Sequence, residues 1–227
     1  MSTMPNLACI LAAGQGTRLG PLPYPKGFLR LGELPIVAES LERLRSVGIT
    51  EVVVVTGHLA SFYQELEGVR LVHNADYAST GSLQSLAAAR EHLTGDFLLL
   101  ESDLIYERRA LEVLLQLSHP DAVLLSGPTG AGDEVWVEAR DGWLVSMSKD
   151  RSRLSNVTGE LVGISRVSQN LYSKLLCQPG QHYESHGMVG CAPTHPIACP
   201  LVQDLLWAEI DDARQLARAR ALHPRLC

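Results

Sequence analysis

The sequence lacks any apolar run of about 18 residues, the length that a helix needs to span a bilayer. Its first six residues also lack the basic charges of a signal peptide, and the apolar stretch that follows is interrupted by glycines. The five cysteines show no Cys-x-x-Cys spacing, so we expect neither a zinc site nor a disulfide framework. Together these absences predict a cytoplasmic protein without membrane insertion.

Positive charge is scarce in the chain as a whole, because 19 lysines and arginines stand against 25 aspartates and glutamates, for a formal net charge of -6. Nucleic-acid binding requires an extended basic face, so we expect no nucleic-acid partner. Acidic residues, however, are missing from residues 1–32, where Arg18, Lys26 and Arg30 carry the formal side-chain charges. A small anionic ligand needs one basic pocket of this kind.

The cationic segment surrounds a glycine loop that follows an apolar stretch. From Ile10 it reads Ile-Leu-Ala-Ala-Gly-Gln-Gly-Thr-Arg-Leu-Gly, and Pro25-Lys26 follows. Backbone N–H groups of a flexible loop can point at phosphate oxygens while the cations offset their charge, so the segment predicts a triphosphate site. A nicotinamide-dependent Rossmann enzyme is disfavoured because its fingerprint needs glycine where Leu19 stands, and the Gly-Lys-Ser/Thr of a P-loop is missing.

Segments with strand and helix character alternate through the first half of the chain, as in α/β proteins. Strands are predicted at residues 7–13, 51–57, 69–74 and 96–103, and helices at residues 35–47 and 83–93. We therefore expect an α/β fold with a Rossmann-like, mostly parallel sheet flanked by helices. Because the carboxyl ends of parallel strands meet at one edge of a sheet, Arg18, Lys26 and Asp103 should converge there.

The second half predicts a small β-hairpin lobe followed by a closing helix. Residues 135–138 and 143–147 are short strand-like stretches, and Asp141-Gly142 between them is a strong hairpin signal. The remaining predicted elements are a strand at residues 159–165, a helix at 168–176, an extended segment at 202–210 and the closing helix at 211–221.

Three segments together resemble the nucleotidyltransferases that join a nucleoside triphosphate to a phosphorylated sugar or alcohol. They are the glycine loop with its lysine, Glu101-Ser102-Asp103 at the end of the predicted fourth strand, and Trp207-Ala208-Glu209-Ile210-Asp211. The chain is most similar to the small cytidylyltransferases that act on phosphocholine or 2-aminoethylphosphonate. The resemblance implies a nucleotide-diphospho-sugar transferase type of fold and a Mg²⁺-dependent transfer of CMP from CTP to a small acceptor, with release of pyrophosphate.

The sequence, which shows no internal repeat or linker, also predicts a domain organisation, and the resemblance implies a metal site. We expect one domain over residues 1–227, in which residues 1–128 mainly bind nucleotide, residues 129–210 mainly bind acceptor, and residues 211–221 form the closing helix. A homodimer is compatible with this domain organisation. Asp103 and Asp211 match the family's two metal-holding positions, and Asp212 remains an alternative to Asp211, because either could cap the closing helix.

Two segments are expected to bind the nucleotide. Small residues let a pyrimidine approach the backbone in both, namely Leu11, Ala12, Ala13, Gly14, Gly16 and Thr17 in the first and Thr80, Gly81 and Ser82 in the second. Ser82 is explained equally well as the cap of a helix. Lys26 would hold the α- or β-phosphate and Arg18 the end that departs as pyrophosphate.

The acceptor is expected at the hairpin lobe. Lys149 would grip the attacking phosphate or phosphonate, which places it with Arg18 and Lys26 among the expected catalytic residues. The other expected acceptor contacts are Asp133, Glu134, Glu160, Tyr183 and Glu184. Carboxylates suit a primary amine, whereas a quaternary ammonium favours an aromatic cage, and aromatics make up 5% of the chain. The composition therefore favours 2-aminoethylphosphonate over phosphocholine.

Two other functions stay open at this point. The same fold could transfer a nucleotide to a sugar 1-phosphate or to another phosphorylated acceptor. A catalytically silent nucleotide-binding regulator is an alternative of another class, but such a protein would be free to lose Lys26, Asp103 or Asp211, and this chain has all three.

Overall fold

Eleven strands and six α-helices make up the regular structure of residues 4–226, the part of the chain that this computed structural model describes. The strands are β1 (Leu7–Ala12), β2 (Glu51–Thr56), β3 (Arg70–His73), β4 (Phe97–Glu101), β5 (Leu104–Tyr106), β6 (Ala122–Ser126), β7 (Trp136–Arg140), β8 (Trp143–Ser148), β9 (Gly159–Val167), β10 (Leu201–Val202) and β11 (Trp207–Glu209). The helices are α1 (Ile36–Ser46), α2 (Ser82–Ala88), α3 (Arg109–Gln116), α4 (Gln169–Leu175), α5 (Val189–Cys191) and α6 (Ala213–Leu222).

The main sheet is mostly parallel, as the alternating sequence pattern predicted. Its strands follow the order β10-β6-β9-β4-β1-β2-β3, and β9 runs antiparallel to both of its neighbours, β4 and β6. The predicted hairpin forms from β7 and β8, with Asp141 and Gly142 both at positive φ in its turn, and β7 continues the sheet from β9. β5 and β11 form a separate antiparallel pair.

The central strand β1 explains the apolar run that opens the sequence. It lies between β2 and β4, and all six of its residues are buried. Leu7, Cys9 and Leu11 pack into the core on one face of the sheet, whereas Ala8, Ile10 and Ala12 pack into the core on the other. A strand that is covered on both faces has no polar side, so its sequence is apolar without alternation.

Several predicted boundaries differ from those observed. The helix predicted at residues 83–93 is the shorter α2, and Gly81 rather than Ser82 occupies its N-cap position. The extended segment predicted at residues 202–210 divides into β10 and β11, because β11 leaves the main sheet to pair with β5. Within residues 4–226, we find no helix with the length and apolar character that crossing a membrane requires.

Candidate active site

A cleft of about 870 Å³ opens where β1 and β4 end, which is a volume typical of small-ligand sites. It is lined by the glycine loop, the segment before α2, the end of β4, the hairpin lobe and the segment before α6. The lining includes these residues predicted from the sequence: Leu11, Ala12, Ala13, Gly14, Gly16, Thr17, Arg18, Lys26, Thr80, Gly81, Ser82, Asp103, Asp133, Glu134, Lys149, Glu160, Glu184 and Asp211.

Gly16 allows the glycine loop to pass close to Lys26. Its φ of +64° lies in the left-handed region that favours glycine, and a Cβ atom placed there would lie 2.7 Å from Cγ of Lys26. A short 3-10 turn, Thr17–Leu19, follows and carries Arg18. The loop thus brings both predicted phosphate-binding cations to the same end of the cleft.

Lys26 lies between the two aspartates that the sequence predicted as metal ligands. Its Nζ contacts Oδ2 of Asp103 and lies 2.5 Å from Oδ1 of Asp211. Burial lowers the pKa of Lys26, but Asp103 and Asp211 raise it by more, so its pKa lies above the usual value. The pKa of Asp211 is lowered despite its burial, chiefly by Lys26. The expected convergence of the loop lysine with the strand-end aspartate is therefore present.

Arg18 extends this arrangement toward the hairpin lobe. Its guanidinium contacts Asp211 and lies 2.6 Å from Oδ2 of Asp133, which is also 3.1 Å from Nζ of Lys149. Burial raises the pKa of Asp133, but hydrogen bonds from Arg18 and Lys149 lower it by more. We call the resulting row of opposite charges the charge row: Asp103, Lys26, Asp211, Arg18, Asp133 and Lys149.

The two adjacent aspartates before α6 have different environments. Asp212 is the N-cap of the helix, and its Oδ1 accepts a hydrogen bond of 2.8 Å from the backbone N–H of Gln215. Asp211 is buried, and its carboxylate belongs to the charge row. Of the two alternatives left by the sequence, Asp211 therefore lines the cleft and Asp212 caps the helix.

Five acids form two ligand sets that suit Mg²⁺, which prefers oxygen donors. Carboxylate oxygens of Glu101, Asp103 and Glu209 lie within 4.8 Å of one another, and so do those of Asp133, Glu209 and Asp211. Burial, followed by the charges of Asp103 and Asp211, raises the pKa of Glu209 to about 9. The chemistry of these donors fits a divalent cation, which would neutralise them together.

The sequence prediction missed Glu101 and Glu209, although a signal for them exists. Each precedes a predicted metal ligand by two residues, at the end of a strand. Side chains at i and i+2 of an extended chain point to the same side, which is the signal in the sequence. In the structure Asp103 lies in the turn after β4, and the carboxylate oxygens of Glu101 and Asp103, like those of Glu209 and Asp211, lie within 4.8 Å of each other. Burial, followed by Glu184 and Glu209, raises the pKa of Glu101 well above its usual value.

Tyr183 does not line the cleft, contrary to its predicted contact with the acceptor. Its side chain is buried in the core on the α2 side of the sheet, and its hydroxyl donates to Oε1 of Glu101 at 3.4 Å. Glu160 does line the cleft, but the backbone N–H and the hydroxyl of Thr129 donate to its two carboxylate oxygens at 2.7 and 2.8 Å. Glu160 thereby holds the loop after β6.

The segment before α2 is fixed by close contact with residues 180–183. A Cβ atom on Gly81 would lie 2.3 Å from the carbonyl oxygen of Gln181, so this position requires glycine. The hydroxyl of Ser82 accepts a hydrogen bond of 3.0 Å from the backbone N–H of Tyr183. Ser82 therefore anchors the wall of the cleft instead of capping α2. His182 and His186, which the prediction did not include, line the cleft beside it.

A family model described as the MobA-like NTP transferase domain matches residues 8–225. The chain is 38% identical over 159 residues to the CMP-5'-(3-aminopropyl)phosphonate synthase of Streptomyces rubellomurinus. The aligned segment covers 65% of this chain and 25% of that protein. The chain is also 34% identical over 97 residues to the choline-phosphate cytidylyltransferase of Streptococcus pneumoniae. This aligned segment covers 40% of this chain and 42% of that protein. The matched segments thus span less than half the length of either relative.

Solved structures share the fold over nearly the whole chain. The inositol-1-phosphate CTP transferase from T. maritima matches with a TM-score of 0.85 at 18% identity, covering 100% of this chain and 98% of that one. The CTP:phosphocholine cytidylyltransferase from Streptococcus pneumoniae matches with a TM-score of 0.72 at 18% identity, covering 96% and 99%. These likenesses concern the fold, and they confirm the predicted Rossmann-like sheet flanked by helices. Since the family model spans nearly all of the sequence, the chain belongs to the MobA-like NTP transferase domain family.

Proposed function

We propose that the chain is a Mg²⁺-dependent cytidylyltransferase that transfers CMP from CTP to a small aminoalkyl phosphonate or phosphate and releases pyrophosphate. We favour 2-aminoethylphosphonate over phosphocholine as the acceptor. The observation that carries the proposal is the charge row, in which loop cations and strand-end carboxylates meet at one end of a ligand-sized cleft. Residues 1–128 would mainly bind the nucleotide and residues 129–210 the acceptor.

On the nucleotide side, the glycine loop would bind the triphosphate through its backbone N–H groups. Lys26 would contact the α- or β-phosphate and Arg18 the departing end, since both already lie beside the loop. Asp103 and Asp211 would hold Mg²⁺, which supplies charge neutralisation at the phosphate oxygens. The base would lie between Leu11–Ala13 and Thr80–Ser82, which line the cleft from two sides.

In the transfer itself, an oxygen of the acceptor's phosphonate attacks the α-phosphorus of CTP. A new P–O bond forms, the bond to the bridging oxygen breaks, and its electron pair leaves on pyrophosphate. A phosphate ester or phosphonate already carries at least one ionised oxygen at neutral pH, so the attack needs no general base. Lys149 would orient the attacking oxyanion, while Lys26 and Arg18 stabilise the charge that develops on the leaving group.

The acid-rich wall of the cleft supports a primary amine on the acceptor. Glu184 and Glu134 line the cleft, whereas Tyr183, the predicted aromatic contact, lies in the core and offers no ring face to a quaternary ammonium. The relative from Streptomyces rubellomurinus is named for an aminopropyl phosphonate, which supports the same acceptor class. A sugar or cyclitol phosphate is the competing acceptor, because the chain shares its fold with the inositol-1-phosphate CTP transferase.

A pyrophosphate-release assay over four nucleoside triphosphates and three acceptors tests the proposal. We expect the highest kcat/KM with CTP and 2-aminoethylphosphonate, with lower values for phosphocholine and inositol 1-phosphate. A tenfold difference in kcat/KM corresponds to about 1.4 kcal/mol. The loss of one ion pair in the acceptor site therefore suffices to make phosphocholine a poorer acceptor than 2-aminoethylphosphonate. Turnover with a sugar or cyclitol phosphate alone would overturn the acceptor assignment. CTP binding without release of pyrophosphate in the presence of any acceptor would favour the silent regulator.

A further inference from the structure

Gln215 is a buried amide that connects three acids at the metal end of the cleft. It is 2% exposed and lies in the first turn of α6. Its Oε1 accepts a hydrogen bond of 2.6 Å from the backbone N–H of Asp211, and its Nε2 donates one of 2.8 Å to Oδ1 of Asp133. Its own backbone N–H donates to Asp212.

The chemistry of the two partners fixes the orientation of this amide. The backbone N–H of Asp211 is a donor and requires the carbonyl oxygen, whereas the carboxylate of Asp133 is an acceptor and requires the amino group. Exchanging the oxygen and nitrogen of Gln215 would break both hydrogen bonds. A side chain with one acceptor and one donor at this spacing is therefore needed, which excludes methionine, leucine and glutamate carboxylate as equivalents.

The position of Gln215 in the helix would ordinarily predict a simpler role. Asp212 at the N-cap followed by Gln215 three residues later is the pattern of a capping box, in which the glutamine accepts from the N–H of the cap residue itself. Here the glutamine accepts instead from the N–H of Asp211, one residue earlier, and its amino group donates to Asp133. Its side chain is thus directed toward the cleft residues.

Asp133 depends on its hydrogen bond with Gln215 because its other partners are two cations that would bind the substrates. It belongs to a loop in which Gly130 and Gly132 both have positive φ. Arg18 and Lys149 are more than half exposed, and under the proposed function they would contact the pyrophosphate end and the acceptor oxyanion. With both substrates bound, Gln215 would remain as a neutral partner that holds Asp133 near Asp211.

We propose that Gln215 is a positioning residue that orients Asp133 and Asp211 toward a shared divalent cation. Carboxylate oxygens of Asp133, Glu209 and Asp211 already lie within 4.8 Å of one another. The inference rests on the proposed function, because it takes the nucleotide-bound metal as the ligand. Loss of residues that orient metal ligands typically costs about 10–100-fold in metal affinity.

The test measures Mn²⁺ affinity by calorimetry in the presence of a non-hydrolysable CTP analogue. Gln215→Met keeps the volume and removes both hydrogen bonds, whereas Gln215→Asn keeps both polar groups and shortens their reach by one methylene. We expect each variant to lower the Mn²⁺ affinity about 10–100-fold. Gln169→Met is the matched control, because the Gln169 amide also makes two hydrogen bonds, to the carbonyls of Leu93 and Gly95, outside the cleft.

The outcomes separate the positioning role from a structural one and from the proposed function. Equal losses of thermal stability in the variants at 215 and 169, with Mn²⁺ affinity lowered only at 215, support the proposal. Unchanged Mn²⁺ affinity in a folded Gln215→Met or Gln215→Asn variant overturns it while leaving the cytidylyltransferase proposal intact. If the wild-type protein binds no Mn²⁺ with the CTP analogue, both proposals fail together.

Discussion

Replacing Lys26 by methionine is expected to change two measured quantities in opposite directions. Turnover of CTP should fall at least about 100-fold, because the change removes a mostly buried charge that would contact the triphosphate under the proposed function. The affinity for Mn²⁺ without nucleotide should rise at least about tenfold, because Asp103 and Asp211 lose the ammonium that occupies their oxygens, and one charge at this range contributes about 1–4 kcal/mol. Steady-state kinetics and calorimetry measure the two effects.

Lys174→Met is the matched control for this prediction. Lys174 lies outside the cleft lining, and its Nζ is 3.0 Å from Nδ1 of His195. The same chemical change there should leave both turnover and Mn²⁺ affinity close to those of the wild-type protein. If Lys26→Met lowers turnover but does not raise metal affinity, then the lysine does not compete with the cation, and the assignment of Asp103 and Asp211 as metal ligands is contradicted.

The second large effect is a difference in turnover between variants of two adjacent aspartates. Asp211→Asn should lower turnover at least about 100-fold, since it removes a buried carboxylate from the predicted metal site. Asp212→Asn makes the same change in charge one residue later, and turnover should stay close to that of the wild-type protein, because asparagine caps a helix as well as aspartate does. Steady-state rates at saturating CTP and Mg²⁺ measure the difference.

A third variant separates capping from metal binding. Asp212→Ala removes the N-cap and should lower the free energy of unfolding by about 1 kcal/mol, while turnover at a temperature well below the midpoint is retained. Urea denaturation measures the stability. A loss of turnover in Asp212→Asn as large as that in Asp211→Asn would mean that the roles of the two aspartates are shared or reversed.

The sequence predicted the local parts of the site well because each carries its own chemical signature. The glycine loop, the apolar β1 and the Asp141-Gly142 turn are specified by neighbouring residues, and all three occur as expected. The convergence of Lys26 with Asp103 followed from the rule that parallel strands end at one sheet edge.

Features that depend on distant pairing could not be predicted in the same way. The antiparallel direction of β9 and the departure of β11 to pair with β5 depend on which strands meet, and no local pattern encodes this. Tyr183 looked like an acceptor contact from composition, yet the residues packed around it place its ring in the core. The contact from Gln215 to Asp133 spans 82 positions, so the local capping pattern pointed to a different role.

The pairing of Glu101 and Glu209 with the two predicted aspartates was, in contrast, accessible from the sequence. Glu101 and Glu209 stand two residues before Asp103 and Asp211, and strand periodicity applied to the sequence would have placed each pair on one side of the chain. This spacing would have added Glu101 and Glu209 to the two aspartates predicted as metal ligands.

The most direct test of the account is phosphorus NMR of the purified protein with CTP, Mg²⁺ and 2-aminoethylphosphonate. We expect one new compound in which the phosphonate is joined to the α-phosphate of CMP, formed in equal amount with pyrophosphate and absent when Mg²⁺ is removed. CTP that stays intact, or that is hydrolysed to CMP without a bond to the phosphonate, would contradict the central claim.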